Sequence, residues 1–499
     1  MSRPTTLREL KRSGLRVLPI KEEIRKNLSA KVRAKEPIFP GIIGYDRTVI
    51  PQMTNALLSK HDILLLGLRG QAKTRLIRAL ATLLDPEVPA MAGCPINDDP
   101  FRPTCALCRR ILAEQGDDAP IRWMTPAERY QEKLATPDVT VADLIGDIDP
   151  IKAARERLDF SDEGVIHYGI VPRTNRGIFA LNELPDLQPR IQVSLLNILE
   201  EKDLQIRGFP VRLPLDLLIV FTANPEDYTN RGNIITPLKD RIDSQVITHY
   251  PQSIEDAEAI TTQEAWAERG APIRVPPFLR RVIEQIAFEA RKSEFIDQSS
   301  GVSARLSITA YENLLSNVER RALITGEARW TARLCDVFAA LPAIAGKIEL
   351  VYEGEREGPT IVSLNLIGKA INKVFQQTFP PVYKSKGKSS AAAAAAEKDA
   401  PASGSAAYKE ISDFFAGGGR IDIADEMPFA AYAAALNKVP GLARLAKKHF
   451  AAADEEELAT AMEFVLEGLH QNSVVAKESV DQTVKYSDML ANMFKDMKG

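Results

Sequence analysis

The chain of 499 residues is 45% hydrophobic and 26% charged, far more than one compact core organises, and its length favours about three domains. Its 64 Lys+Arg against 67 Asp+Glu leave a net charge of −3, which argues against a globally basic nucleic-acid binder but leaves room for a local basic patch. Four cysteines make no disulfide scaffold, the basic start MSRPTTLRELKRSGL lacks the apolar core of a secretory signal, and runs such as Leu217 to Phe221 fall far short of the ~20 residues a membrane-spanning helix needs. A reducing, cytoplasmic setting without a membrane span is expected.

Residues 1–36 read as an N-terminal helical extension. From 37 to 251, short apolar runs bounded by turn residues alternate with longer helical patterns, the α/β signature of a parallel sheet covered by helices, with strands predicted over 62–66, 177–181, 217–223 and 245–248. The first strand leads directly into Gly67-Leu68-Arg69-Gly70-Gln71-Ala72-Lys73-Thr74 and then a helical continuation. Strand, loop and helix in that order are what a phosphate-binding loop requires. Backbone N–H groups from Gly67, Gly70, Gln71 and Ala72 can face phosphates, Lys73 can reach the β- and γ-phosphates, and the Thr74 hydroxyl can join a Mg²⁺ shell. The spacing matches GxxxxGK[ST] except at Ala72, where alanine replaces glycine and would strain a positive φ.

An insertion over about 92–135 carries Cys94, Cys105 and Cys108. A CxxC with one further thiolate begins a structural zinc site, with Asp98, Asp99 or a distant side chain as fourth ligand; buried free thiols are the competing reading. Downstream, Gly177 to Leu181 reads as a buried strand ending in Asn182-Glu183. Nucleotide hydrolases normally carry Asp-Glu there, the first for Mg²⁺ and the second to orient the attacking water. Asn182 keeps the hydrogen-bonding geometry without the charge, and Glu183 keeps the carboxylate. The strand 217–223 ends at Asn224, an amide placed to sense the γ-phosphate, and Arg241 stands just before the next strand, suited to reach a neighbouring subunit's site. Beyond Pro251 helical periodicity takes over: an α-helical domain over 252–383, with Leu306, Leu314, Leu315 and Val318 near one helix face and Arg305 at that helix's start as a phosphate-gripping candidate. An Ala/Ser/Lys-rich linker follows over 384–407, then a helical module over 408–499 with a helix from Glu455 to Leu469. Within that module, 421–429 alternates acidic and apolar residues, as either a docking edge or an ordinary amphipathic surface.

With these residues in order, the chain resembles the AAA+ ATPases, and within them the magnesium-chelatase I-subunit and MoxR-like branch, over roughly 37–383. Phe39 to Gly44, including Ile42 and Ile43, resembles the family's adenine-side entry segment. Leu144 to Asp149 with Gly164 to Val171 resembles the chelatase subunit's insert hairpin, Gln192 to Glu201 the helix that follows, and Asp203 to Pro214 the pre-sensor hairpin, with Arg207-Gly208 at its turn. The resemblance implies a P-loop AAA+ parallel-sheet domain, an α-helical lid and a C-terminal helical module. It assigns Lys73 and Thr74 to the P-loop, Asn182 and Glu183 to the acidic strand, Asn224 to sensor 1, Arg241 to the arginine finger (with Arg231 a second interface candidate) and Arg305 to sensor 2. It further implies ATP and Mg²⁺ as ligands, a ring oligomer, usually a hexamer, and a partner carrying a von Willebrand A domain. The expected function is an ATPase that remodels a partner protein, in metal insertion or cofactor maturation. A nucleotide-dependent scaffold that barely hydrolyses ATP is the alternative kept open by Ala72 and Asn182. A nucleic-acid or transcription-related remodeller ranks last, because no GAFTGA-like loop is present.

Overall fold

The computed structural model describes residues 3–157, 162–201, 203–204, 213–225, 233–382, 407–480 and 482–489. Arg231, the turn at Arg207-Gly208 and residues 384–406 of the expected linker lie outside them. The chain forms two compact units, Met1–Tyr250 and Pro251–Gly499.

The first unit is built on a five-stranded sheet: β1 (Ile63–Leu66), β2 (Tyr130–Leu134), β3 (Gly177–Asn182), β4 (Leu217–Ala223) and β5 (Ser244–Ile247). The strands run in the order β5-β1-β4-β3-β2, all parallel. Both faces are covered, so the central strands are continuous apolar runs rather than alternating ones. Ile63, Leu65, Ile178, Ala180, Leu218 and Val220 enter one core with Ile20, Ile24 and Leu28 of the N-terminal helix Ile20–Ala34; Leu64, Phe179, Leu181, Ile219 and Phe221 enter the other. The N-terminal segment is therefore part of the α/β unit. Its helix is pinned by a buried pair, Glu23 with Arg129 just before β2, whose guanidinium donates to both carboxylate oxygens at 2.7 and 2.6 Å. The four predicted strands match β1, β3, β4 and β5 to within a residue or two. The sequence reading misses β2, whose residues Tyr-Gln-Glu-Lys-Leu lie at the sheet's edge, half-buried or exposed.

Three antiparallel pairs decorate the sheet. Val88–Met91 pairs with Ile121–Met124, framing the cysteine insertion. Gly146–Ile148 pairs with Ile166–Tyr168, and Asp203–Leu204 with Leu213–Pro214, at the two hairpins the resemblance implies. Four helices of this unit matter below: α1 (Lys73–Ala79), α2 (Ala106–Gln115), α3 (Pro189–Glu200) and α4 (Thr236–Arg241).

The second unit is mainly helical, around α5 (Pro277–Ala290), α6 (Arg305–Thr325), α7 (Pro359–Thr378) and α8 (Glu455–Gln471). Leu306, Leu314, Leu315 and Val318 of α6 are all core residues, as their spacing predicts. The helix expected from Glu455 starts there, capped by Asp454, whose carboxylate accepts from the N–H groups of Glu456 and Glu457. Two features differ from the sequence reading. Residues 252–382 and 408–488 share one hydrophobic core, so the C-terminal stretch is not a separate module: the Phe278 ring stacks on Phe450 at 4.4 Å, and Thr460 Oγ1 donates to Ala332 O at 3.1 Å. The C-terminal stretch also holds a three-stranded antiparallel sheet, β6 (Ile421–Ala424), β7 (Val475–Val480) and β8 (Thr483–Asp488), in the order β6-β8-β7. The acidic–apolar alternation at 421–424 is the period of β6, which buries Ile421 and Ile423 while Asp422 faces out. Among the described residues no helix is long and apolar enough to cross a membrane.

Candidate nucleotide site

The loop after β1 closes tightly. A Cβ on Gly67 would lie 2.0 Å from Thr248 Oγ1 and 2.2 Å from Gln71 Oε1, so only glycine fits beneath those two side chains, which hydrogen-bond each other at 2.7 Å. Gly70 takes φ +73°, and Ala72, the residue that departs from the motif, takes φ +56° and ψ +16° at the cap of α1. The chain thus adopts the left-handed turn the motif requires and bears the steric cost of a methyl there, about 1–2 kcal/mol. Ala72 and Thr74 are exposed at the mouth of the loop, while Lys73 is buried.

Three adjacent strands bring the polar groups together. Lys73 Nζ donates to the carbonyls of Gly67 and Leu68, the latter at 3.1 Å, and to Asn224 Oδ1 at 2.6 Å. Asn224, at the end of β4, in turn donates from Nδ2 to Glu183 Oε2 at 2.9 Å. The amide therefore links the loop cation to the carboxylate at the end of β3. Glu183 is itself in the left-handed region, φ +56° and ψ +51°, and its N–H donates to Thr222 Oγ1 at 3.0 Å; that hydroxyl donates to Asn182 Oδ1 at 3.4 Å. Two left-handed non-glycine residues in one site, each held by surrounding contacts, are the kind of strain that accumulates at functional positions.

A second layer braces the loop from the opposite side. The Tyr45 hydroxyl lies 2.9 Å from Gln71 O and 2.7 Å from His249 O, and burial pushes its pKa up to about 12, so it stays a donor. Thr48 Oγ1 meets His249 Nε2 at 2.8 Å, and Tyr250 Oη donates to Arg69 O at 2.9 Å. Sequence reasoning missed Tyr45, Thr48, Thr222, Thr248, His249 and Tyr250. Their only sequence signal is position, flanking the entry segment and the ends of β4 and β5. Ile42 is buried in the core with Phe39 and Tyr45, and Ile43 is half-buried beside it.

Two further candidates lie on other elements. Arg241, the last residue of α4, is held by Glu200 of α3, Nε donating at 2.7 Å and the second contact closing at 2.6 Å, and its NH1 donates to Pro237 O at 3.0 Å. It is half-buried and the structure does not bring it to Lys73 and Glu183 within this bonding network. Arg305 opens α6 in the other unit and is exposed there. Thr74 and Asn182 could offer Mg²⁺ a hydroxyl and an amide, with no carboxylate at the first position. Such a set suits magnesium delivered on a triphosphate, which brings most of the charge and keeps several waters, better than magnesium held by the protein alone. Cys94, Asp98, Cys105 and Cys108 are all buried and converge elsewhere in this unit.

A family model described as an AAA domain of the dynein-related subfamily matches residues 122–242, which include Asn182, Glu183, Asn224 and Arg241. The chain is 26% identical over 226 residues to a magnesium-chelatase subunit ChlI homolog of Methanocaldococcus jannaschii, covering 44% of this chain and 57% of that protein. It is 29% identical over 243 residues to the magnesium-chelatase 38 kDa subunit of Cereibacter sphaeroides, covering 46% and 65%. The match thus spans roughly three fifths of these relatives' length. A solved assembly of the BchI and BchD subunits of magnesium chelatase superposes with a TM-score of 0.34 at 20% identity, covering 64% of this chain and 98% of that one, too low a score to add weight. A P-loop on a five-stranded parallel sheet, the matching domain model and the chelatase-subunit relatives together support an AAA+ ATPase of the magnesium-chelatase I-subunit branch.

Proposed function

We propose that the chain binds Mg·ATP at residues 67–74 and hydrolyses it, as one subunit of a ring. The observation that carries this reading is the chain of contacts Lys73–Asn224–Glu183, which links the phosphate-side cation to the water-side carboxylate through one amide. When nucleotide enters, the Lys73 ammonium exchanges loop carbonyls for β- and γ-phosphate oxygens. Asn224 is then the residue whose hydrogen bonds change with the γ-phosphate, and it passes that change to Glu183. Glu183 orients the attacking water and accepts its proton. Thr74 and Asn182 are the side chains that would face Mg²⁺, whose role is to offset phosphate charge. Ile42 and Ile43 would line the adenine side; a phosphate-gripping role for Arg305 rests on the branch resemblance alone.

Arg241 is proposed to act on the site of the next subunit. Its present partner, Glu200, is an exposed carboxylate, and a surface ion pair of this kind is worth only ~0–1 kcal/mol, so releasing it costs little. The ring, its hexameric size, a von Willebrand A-domain partner and a role in metal insertion or cofactor maturation follow from the branch resemblance and belong to this proposal. A second reading, a nucleotide-dependent scaffold with little turnover, is favoured by two observations: Asn182 brings no charge to the metal side, and Ala72 holds a strained left-handed turn in the loop. Steady-state ATP hydrolysis by purified protein separates the two. Sustained turnover supports the motor; tight ATP binding with nucleotide-dependent assembly and no turnover supports the scaffold.

A further inference from the structure

We propose that Cys94, Asp98, Cys105 and Cys108 hold one zinc ion that acts as a structural clip. One ligand atom from each lies within 4.8 Å of all the others, and all four residues are buried. With a Zn–S bond of about 2.3 Å, two sulfurs of a tetrahedral site stand about 3.8 Å apart. Cys94 Sγ and Cys105 Sγ are 3.8 Å apart. The surrounding backbone is arranged as thiolates need it: the N–H of Asp98 donates to Cys94 Sγ at 3.2 Å, and that of Cys108 to Cys105 Sγ at 3.4 Å.

Asp98 supplies an independent reason for a cation. It is 1% exposed, and among the described residues it makes no ion pair. Its Oδ2 accepts from the N–H groups of Thr104 and Cys105 at 2.9 and 2.8 Å, and its Oδ1 from Thr104 Oγ1 at 2.7 Å, all of them neutral donors. A carboxylate this buried is costly without a positive partner. Three thiols beside it offer none, whereas a divalent ion bound by all four supplies the charge. Three sulfurs and one oxygen around a single small tetrahedron fit Zn²⁺ better than Mg²⁺, which takes oxygen ligands in an octahedron.

The clip also has a purpose legible in the fold. Residues 92–105 cross the insertion without helix or strand. Asn175 Nδ2 donates to Ile96 O at 3.0 Å and Arg176 NH1 to Pro89 O at 2.7 Å, tying this loop and its flanking strand to the two residues that enter β3. The ion would therefore stiffen the support of the strand that ends at Asn182-Glu183, as a positioning element outside the reaction itself.

The test uses the full chain purified from zinc-supplemented medium, with its metal content measured, followed by Co²⁺ titration of chelator-stripped protein. The expected results are one zinc per chain and a Co²⁺ complex saturating at one equivalent, with thiolate-to-cobalt charge-transfer and tetrahedral ligand-field bands. Cys105→Ser and Cys108→Ser should each lose the metal, and Cys335→Ser, outside the cluster, should retain it. Should the site variants fail to fold, mercurial titration of the native protein still decides, because zinc release must track modification of three thiols. Protein free of stoichiometric metal that also yields no cobalt–thiolate band would overturn the proposal. None of these readings depends on ATP, so this site and the nucleotide site stand or fall separately.

Discussion

At the scale of single residues, Ala72 poses the sharpest physical question. A left-handed alanine costs about 1–2 kcal/mol relative to glycine, offset in part by the ~0.5–1 kcal/mol that glycine loses through a more flexible unfolded chain. Ala72→Gly should therefore stabilise the α/β unit by about 0.5–1 kcal/mol, read as a higher urea midpoint without a change in slope. An unchanged or lower midpoint would mean that φ +56° at Ala72 is not strained in solution. The departure at Ala72 was visible in the sequence because the motif fixes which position needs a positive φ. The left-handed turn at Glu183 was not, since no motif spacing marks it; in the fold its N–H donates to Thr222 Oγ1 of β4.

At the scale of elements, two buried carboxylates show how charge is managed in the two units. Glu23 and Arg129 are each about 2% exposed, and Arg129 Nε also donates to Arg176 O at 2.8 Å. Removing one partner of such a pair strands the other charge, so Glu23→Gln should destabilise by about 3–5 kcal/mol in urea unfolding, against less than 1 for an exposed pair such as Lys60–Glu22. A loss near that of the exposed pair would show that the Glu23–Arg129 pair does not pin the helix to the start of β2.

The second case is Glu463 on α8, whose pKa is pushed up from 4.5 to about 7, chiefly by burial, with Glu467 adding to the rise while Tyr432, Lys477 and Arg333 oppose it. Glu467, one turn on, goes the other way because Lys477 sits 2.8 Å from it. Between pH 4.5 and 7 the folded state holds a proton at Glu463 that the unfolded chain releases. The associated stability is full below the unfolded value and is lost as pH rises through 7, by about 3 kcal/mol. Wild-type thermal stability should fall from pH 5 to pH 8 more steeply than that of Glu463→Gln, which keeps an acceptor for Tyr432 Oη at 2.7 Å but cannot ionise. Parallel pH profiles for the two would contradict the assignment. None of this was legible in sequence, where α8 showed only as a helix with an acidic start. The edge strand β2 escaped notice for a related reason: with polar side chains and no fully buried face, it lacks the period-2 signal that marks a half-buried strand.

At the scale of the whole chain, the sequence separated an α/β unit from a helical one because hydrophobic period and turn chemistry are local. It divided the second unit at an alanine- and serine-rich linker, whereas the core there joins residues on both sides of that interruption. Chain continuity is visible in a sequence; core continuity is not. The same limit applies to the site. Lys73, Asn224 and Glu183 were named from strand ends and motif spacing, and the structure brings them into hydrogen-bonding sequence, but the bracing residues Tyr45, Thr248 and His249 converge only through the fold. Assembly makes its own prediction. If Arg241 serves a neighbouring subunit, Arg241→Ala should lower ATP turnover by ~10³-fold, the size of arginine-finger effects, with less than about 1 kcal/mol lost in stability. Full turnover in that variant would remove Arg241 from the chemistry.

The most direct test of the central claim compares wild-type chain with Glu183→Gln, measuring bound ATP and its rate of hydrolysis on the same samples. Wild-type protein should turn over ATP, and the variant should bind it with similar affinity while losing hydrolysis by at least ~10²-fold, because only the group that orients and deprotonates water has been altered. Equal hydrolysis by both, or no hydrolysis by either, would contradict a catalytic site built on Lys73, Asn224 and Glu183.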